Sequence, residues 1–188
     1  LGHDCPLYRI DIDPECLADE HRAEVAIHAG AEVSMTSLQK ELTPSYSSWQ
    51  ISAIVQQRGV WRAESEAERP GIIAIADALR ETVPENTMIY SDMTQFSYVA
   101  NEVWPMTRPK HWHHPSGFGT LGYALPAAIG GAVARPGQPT MAIAGDYGFQ
   151  YSVQELGTAV ELSQALPIIL WDNGKLKEIE DSMRSCLL

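Results

Sequence analysis

Apolar and polar residues alternate over Leu7–Ile12 (LYRIDI), the two-residue period of a half-buried strand, and Asp13-Pro14 ends it because proline cannot continue a ladder. A second short strand is expected at Val25–His28, and Val33, Met35, Leu38 and Leu42 fall near helical spacing over 31–42. Over 43–70 the periodicity weakens and polar residues take over (SYSSWQ, QQRGVWR, AESEAERP), which predicts a connector with one helix around Trp49–Gln57. Beyond Pro70 the pattern sharpens. It predicts helix 72–82, strand 87–91, helix 95–103, a small-residue helix over 121–134, strand 140–144, helix 152–164, strand 167–171 and a charged helix from Lys175. Strands and helices in this alternation build an α/β fold, a parallel sheet covered by helices on both faces, whose ligands sit at the carboxyl ends of the strands. The expected organisation is the tail of one α/β domain over 1–42, a connector over 43–70, and an incomplete three-layer α/β domain over 71–188.

Two polar residues stand at such strand ends, Asp146 and Asn173. One helical crossover separates them, which in a parallel sheet sets a carboxylate beside an amide oxygen. Hard oxygen ligands of this kind suit Mg²⁺, whose shell is usually completed by water and phosphate oxygens. The competing reading of the same residues is a helix cap at Asp146 and an ordinary turn at Asn173-Gly174. His111, His113 and His114 have no partner at metal-ligand spacing and read as rings near a surface turn.

Composition narrows the classes. The chain has 188 residues, 45% of them apolar and 20% charged, in the range of a folded globular protein. Its net charge of −11, without a run of Lys or Arg, argues against nucleic acid as a partner. No apolar stretch approaches the roughly 20 residues that cross a bilayer, so no membrane partner is expected, and no basic-then-apolar signal opens the chain. Cys5, Cys16 and Cys186 show no CxxC spacing, which disfavours a disulfide framework or a zinc site and fits the reducing cytoplasm. The chain starts without Met close to its first strand and stops inside an expected helix, and it reads as a segment of a longer parent.

The stretch GDYGFQYSVQELGTAVELSQALPIILWDN resembles the magnesium and diphosphate motif of thiamine diphosphate enzymes, Gly-Asp-Gly followed after a loosely fixed interval by Asn-Asn. Upstream, GFGTLGYALPAAIGGAVARP is similar to the Gly-Leu-Gly-Thr-Met-Gly-x-x-Leu-Pro-Ala-Ala-Ile-Gly stretch of acetolactate synthases and their relatives, benzoylformate decarboxylase among the wider family. The resemblance implies that Asp146 and Asn173 hold the metal, with the backbone carbonyl of Lys175 as third ligand. It gives Leu121 the role of the aliphatic wedge that bends the cofactor, and Gly119 that of offering its carbonyl to the cofactor's amino group. Thr120, Gly145, Tyr147 and Gly148 belong to the same cofactor-binding segments. In Ser91-Asp92-Met93-Thr94-Gln95-Phe96, Gln95 matches a family residue that touches the diphosphate, while Thr94 and Phe96 replace the usual Gly and His. Amides at that helix start suit phosphate.

The departures are specific. Tyr147 replaces the glycine at the third position of the motif and Asp172 its first Asn, making the pocket more crowded and more acidic. Where relatives carry a Gly and apolar residues after the Asn pair, this chain has Lys177, Glu178, Ile179 and Glu180. Only Glu178 is expected to face substrate, as a catalytic candidate; the others read as a solvated helix face. His113 and His114 are further substrate-side candidates by resemblance. The implied function is decarboxylation or carboligation of a 2-oxo acid by a lyase or transferase that needs thiamine diphosphate and Mg²⁺. The implied parent is a homodimer or tetramer, because the glutamate that activates the cofactor lies on a pyrimidine-binding domain of another subunit. The chain by itself is then an inactive half-site. FAD in the parent is compatible with the resemblance, and no residue here points to it. Two alternatives stand beside this: a non-catalytic homologue serving assembly or regulation, and a nicotinamide oxidoreductase. The latter rests on Gly117-Phe118-Gly119-Thr120-Leu121-Gly122, which fits the dinucleotide fingerprint, with Asp146 about 20 residues on. Against it stand HWHHPS in place of a strand before Gly117, and Pro126 inside the helix that would bind phosphate.

Overall fold

The computed structural model describes residues 6–18, 23–43 and 50–186. Cys5 and the expected helix start at Trp49 lie outside them. The chain forms two compact units that divide after Trp49. In the first, β1 (Tyr8–Asp11) and β2 (Val25–His28) pair in parallel with Ile10 opposite Ile27. Pro14 does more than end β1. It opens the one-turn helix α1 (Pro14–Leu17), where its missing N–H has no partner to lose, and the Asp13 carboxylate accepts from the Glu15 N–H at 2.9 Å. α2 (Ala31–Glu41) follows, with Val33, Met35 and Leu38 exposed.

The second unit begins with α3 (Ile51–Glu68), which runs on well past the expected end at Gln57. The sequence hides its length because Ser65 is the one buried residue, while Ile51, Val55 and Trp61 are exposed, so no continuous apolar stripe marks it. It packs against α4 (Ile72–Thr82) and α5 (Gln95–Val103). Arg62 pairs with Asp77 at 2.5 Å, and the Ser65 hydroxyl donates to Glu102 at 2.7 Å.

Four parallel strands form the main sheet: β3 (Met88–Ser91), β4 (Trp112–His113), β5 (Thr140–Gly145) and β6 (Ile168–Trp171), in the order β4-β3-β5-β6. β4 has no counterpart in the sequence pattern. Two residues are too few to show a period, and the strand exists through its pairing with β3, Ile89 opposite Trp112. The small-residue helix α6 (Ala124–Ala134) starts later than its sequence suggests. Pro126 falls in its first turn, where N–H groups lack intrahelical partners anyway, and 117–123 is left as a loop. α7 (Asp146–Ser152), which the sequence reading does not foresee, leaves β5 without a linker, and the helix expected over 152–164 is the shorter α8 (Glu155–Glu161). α9 (Lys177–Cys186) completes the described chain.

Strand residues alternate between two cores, as the pleat requires. Ile89, Met141 and Ile143 meet Ile72, Ile73 and Ala76 of α4 and Phe96, Val99 and Ala100 of α5 on one face. Ala142 and Ala144 meet Ala124 and Ala128 of α6 on the other. The α6 side is built from small residues because the helix lies close: a Cβ at Gly131 would collide with the Tyr90 hydroxyl. Helices therefore cover both faces, the expected α/β architecture. Among the described residues no helix is long and apolar enough to cross a membrane. Cys16 and Cys186 are free and exposed.

Candidate active site at the sheet's switch point

From β3 the chain passes through α5 to β4, then returns across β3 to β5, so the strand order reverses between β3 and β5. Such a switch point leaves a crevice at the carboxyl ends of the strands. A cavity of about 290 Å³ opens there. Thr94 and Gln95 reach it after β3, Gly145, Asp146, Tyr147 and Gly148 after β5, and Asn173 and Lys175 after β6. Gly119 and Leu121 come from the loop before α6, and Glu178 from the first turn of α9. Lys177 and Ile179, expected on a solvated face, also line it.

Two of the residues expected to bind the cofactor do not line the cavity. Phe96 is fully buried in the α5 core, its ring 5.6 Å from that of Trp171, so only its main chain in the first turn of α5 is left to serve a ligand. Thr120 is exposed and its hydroxyl donates to the Leu121 carbonyl at 3.3 Å. His113 and His114 stand apart from the cavity as well. His113 stacks on Tyr90 with ring centroids 4.8 Å apart, and His114 pairs with the Ser91 hydroxyl at 2.9 Å. The dinucleotide reading loses its context: His114, Pro115 and Ser116 intervene between β4 and Gly117, and α6 begins only after Gly122.

Asp146 follows directly from β5, and Asn173 lies just past β6, on adjacent strands held in register by Gly145 opposite Trp171. The Asp146 carboxylate makes no hydrogen bond or ion pair with the described residues, so its oxygens remain available. The Asn173 amide is oriented by its neighbours. Its nitrogen donates to Gln95 Oε1 at 3.3 Å and its oxygen accepts from the Lys175 N–H at 3.2 Å. Gln95 in turn donates to Asp181 at 3.4 Å. Asp172, in place of asparagine, accepts from the Gly174 N–H at 3.0 Å and shapes the turn, where Gly174 has φ +66°. An asparagine oxygen would accept the same bond. A carboxylate, an amide oxygen and a nearby main-chain carbonyl form the donor set that Mg²⁺ favours, so the residues present fit a magnesium diphosphate.

Two charged groups escape sequence reasoning. Arg69, the C-cap of α3, donates to both carboxylate oxygens of Glu178, at 2.5 and 3.2 Å. This hydrogen bond raises the Arg69 pKa further and occupies Glu178. Asp92 is 1% exposed and accepts main-chain bonds from Gly122 and Tyr123. The available signal is its position one residue past β3, the place that Asp146 takes after β5.

Burial lowers the pKa of His114 from the ordinary value of 6.5, opposed by a hydrogen bond with the Ser91 main chain. The unfolded chain then binds more protons between the folded value and 6.5, so this stabilisation is present above 6.5 and is lost as pH falls through the folded value. Urea unfolding at about pH 7.5 and about pH 5.5 should show a smaller acid loss in His114→Asn than in the unsubstituted chain; equal losses would contradict this account.

Residues 92–185 match the thiamine pyrophosphate enzyme, C-terminal TPP binding domain. The chain is 35% identical over 180 residues to the probable 2-ketoarginine decarboxylase of Pseudomonas aeruginosa, covering 94% of this chain and 32% of that protein. It is 32% identical over 167 residues to the large subunit of acetolactate synthase isozyme 2 of Escherichia coli, covering 89% and 30%. With isozyme 1 of the same organism the identity is 29% over 177 residues, covering 92% and 32%. The chain spans about a third of the length of these curated relatives. The matched segment contains the carboxyl ends of β5 and β6, the 119–121 loop and the cavity they line, and on that agreement of sequence and site this chain belongs to the thiamine pyrophosphate enzyme family.

Proposed function

We propose that the protein carrying this chain decarboxylates a 2-oxo acid, or joins one to a second carbonyl compound, with thiamine diphosphate and Mg²⁺, and that this chain supplies the diphosphate and metal half of the site. The observation that carries the reading is the pair Asp146 and Asn173 on adjacent strand ends, lining one cavity with Gly119 and Leu121. One relative is named a probable 2-ketoarginine decarboxylase and another an acetolactate synthase, which supports both outcomes without choosing between them. The chemistry the cofactor supplies when bound is a nucleophilic carbon and a sink for the electron pair released with carbon dioxide.

Asp146, the Asn173 oxygen and the Lys175 carbonyl would hold the metal. Gln95 fixes the Asn173 amide, and the amides of Gln95 and Phe96 in the first turn of α5, with those of Tyr147 and Gly148, offer donors to the diphosphate. Leu121 serves as the wedge beneath the cofactor and Gly119 as a carbonyl acceptor. Glu178, bound through both oxygens to Arg69, forms part of the cavity wall. Residues 1–42 correspond to the end of a central domain and 71–188 to the cofactor domain. The activating glutamate comes from another subunit of a cytoplasmic homodimer or tetramer.

Calorimetric titration of thiamine diphosphate into the full-length protein should show binding with Mg²⁺ and none without it. The chain by itself should not turn over pyruvate or benzoylformate, and measurable turnover would overturn the half-site reading. A full-length protein that binds no cofactor would favour the assembly or regulatory subunit suggested by Tyr147 and Asp172.

A further inference from the structure

We propose that Asp92 is a positioning residue that locks the 119–121 loop against the strand ends before the cofactor arrives; this rests on the thiamine diphosphate reading of the cavity. Asp92 is not part of the cavity lining, yet it joins the elements that make it. Its main-chain N–H donates to Ile143 of β5 at 2.8 Å, which ties it to the strand that delivers Asp146. Its two carboxylate oxygens divide their acceptance, Oδ2 from the Gly122 N–H and Oδ1 from the Tyr123 N–H, each at 3.0 Å. These amides directly follow Leu121, so the carboxylate fixes where the loop ends and α6 begins.

Glycine is required around it. Gly122 adopts φ +82°, and a Cβ there would meet the Tyr151 Cβ at 3.0 Å. A Cβ at Gly148, in the first turn of α7, would fall 2.5 Å from Asp92 Oδ2. The chain thus brings β3, β5, the start of α6 and α7 together around one residue. The next residue, Met93, lines the cavity, and its methyl carbon would meet a Cβ at Gly119 at 3.2 Å.

Burial raises the Asp92 pKa while main-chain hydrogen bonds from Gly122, Tyr123, Ala124 and Met93 lower it. A buried carboxylate is a costly way to cap a helix. It does offer two acceptors in one plane, which holds both amides at once, whereas the side-chain amide introduced by Asp92→Asn would present an N–H to one of them.

A cap that served folding alone would affect stability and leave affinity per folded molecule unchanged. The test therefore measures both in the full-length protein. Asp92→Asn should weaken thiamine diphosphate binding in the presence of Mg²⁺ by roughly 10- to 100-fold, the loss typical when a group behind a metal or cofactor site is removed. Ala128→Gly, which loosens α6 from its buried side without touching the loop, should lower the unfolding temperature and keep the affinity. Asp92→Asn binding as tightly as the unsubstituted protein, or Ala128→Gly losing as much, overturns the proposal. Hydrogen exchange decides if Asp92→Asn does not fold. The amides of Gly122 and Tyr123 should be protected in the cofactor-free, unsubstituted protein, and protection that appears only on adding cofactor overturns the proposal. If the unsubstituted protein binds no thiamine diphosphate, the functional reading falls and this proposal with it, a result distinct from tight binding by both proteins.

Discussion

Alanine at position 146 should abolish magnesium-dependent binding of thiamine diphosphate and leave the fold standing. Of the three oxygens assigned to the metal, only the Asp146 carboxylate carries charge, since Asn173 contributes an amide and Lys175 a peptide carbonyl. A loss of about 100-fold or more in affinity, equivalent to about 2.8 kcal/mol, is expected in a titration at fixed Mg²⁺. The same side chain makes no hydrogen bond or ion pair with the described residues and stands at the first position of α7. Its removal from the cofactor-free protein should therefore cost only the helix-terminus interaction, about 0.3–1 kcal/mol. Retained affinity would remove Asp146 from the metal site. A large drop in unfolding temperature would show that it serves the fold instead.

Phe96→Ala should have the opposite profile. The ring has 0% exposure and packs among Ile89, Val99 and Ile143 with Trp171 beside it. Truncating a buried Phe costs about 3–5 kcal/mol, a large share of the roughly 5–15 kcal/mol that holds a domain together. Urea unfolding of the chain should register that loss in full. Cofactor affinity per folded molecule should change little, because the side chain does not line the cavity. If affinity falls while stability holds, the sequence resemblance that aligns Phe96 with a cofactor contact is the better guide to its side chain.

What can be read from the sequence follows from how far each interaction reaches along the chain. Strands β3, β5 and β6 and helices α4 and α5 show their burial as local periodicity, and the strand ends at Asp146 and Asn173 follow from them. α3 reads too short because its exposed apolar residues blur the helical period. The break between α7 and α8 carries no Gly or Pro, since Val153 and Gln154 occupy it, and only packing reveals it. The links Asp92 to Gly122 and Arg69 to Glu178 span 30 and 109 residues, beyond any local pattern. The side chain of Phe96 lies in the core for the reverse reason. A motif alignment assigns a position, and the helical phase of α5 decides whether its side chain turns to the cavity or to the core.

The pairing of Gly145 with Trp171 bears on which changes of length this site can survive. Side chains in a strand alternate faces, so one residue inserted or deleted within β6 would slip its register and carry Asn173 away from Asp146. The same insertion in the connection between α8 and β6, around 162–166, would be absorbed before the strand begins. Natural variants of this chain should therefore gain and lose residues in the 162–166 connection, yet keep the count from Ile168 to Asn173 constant.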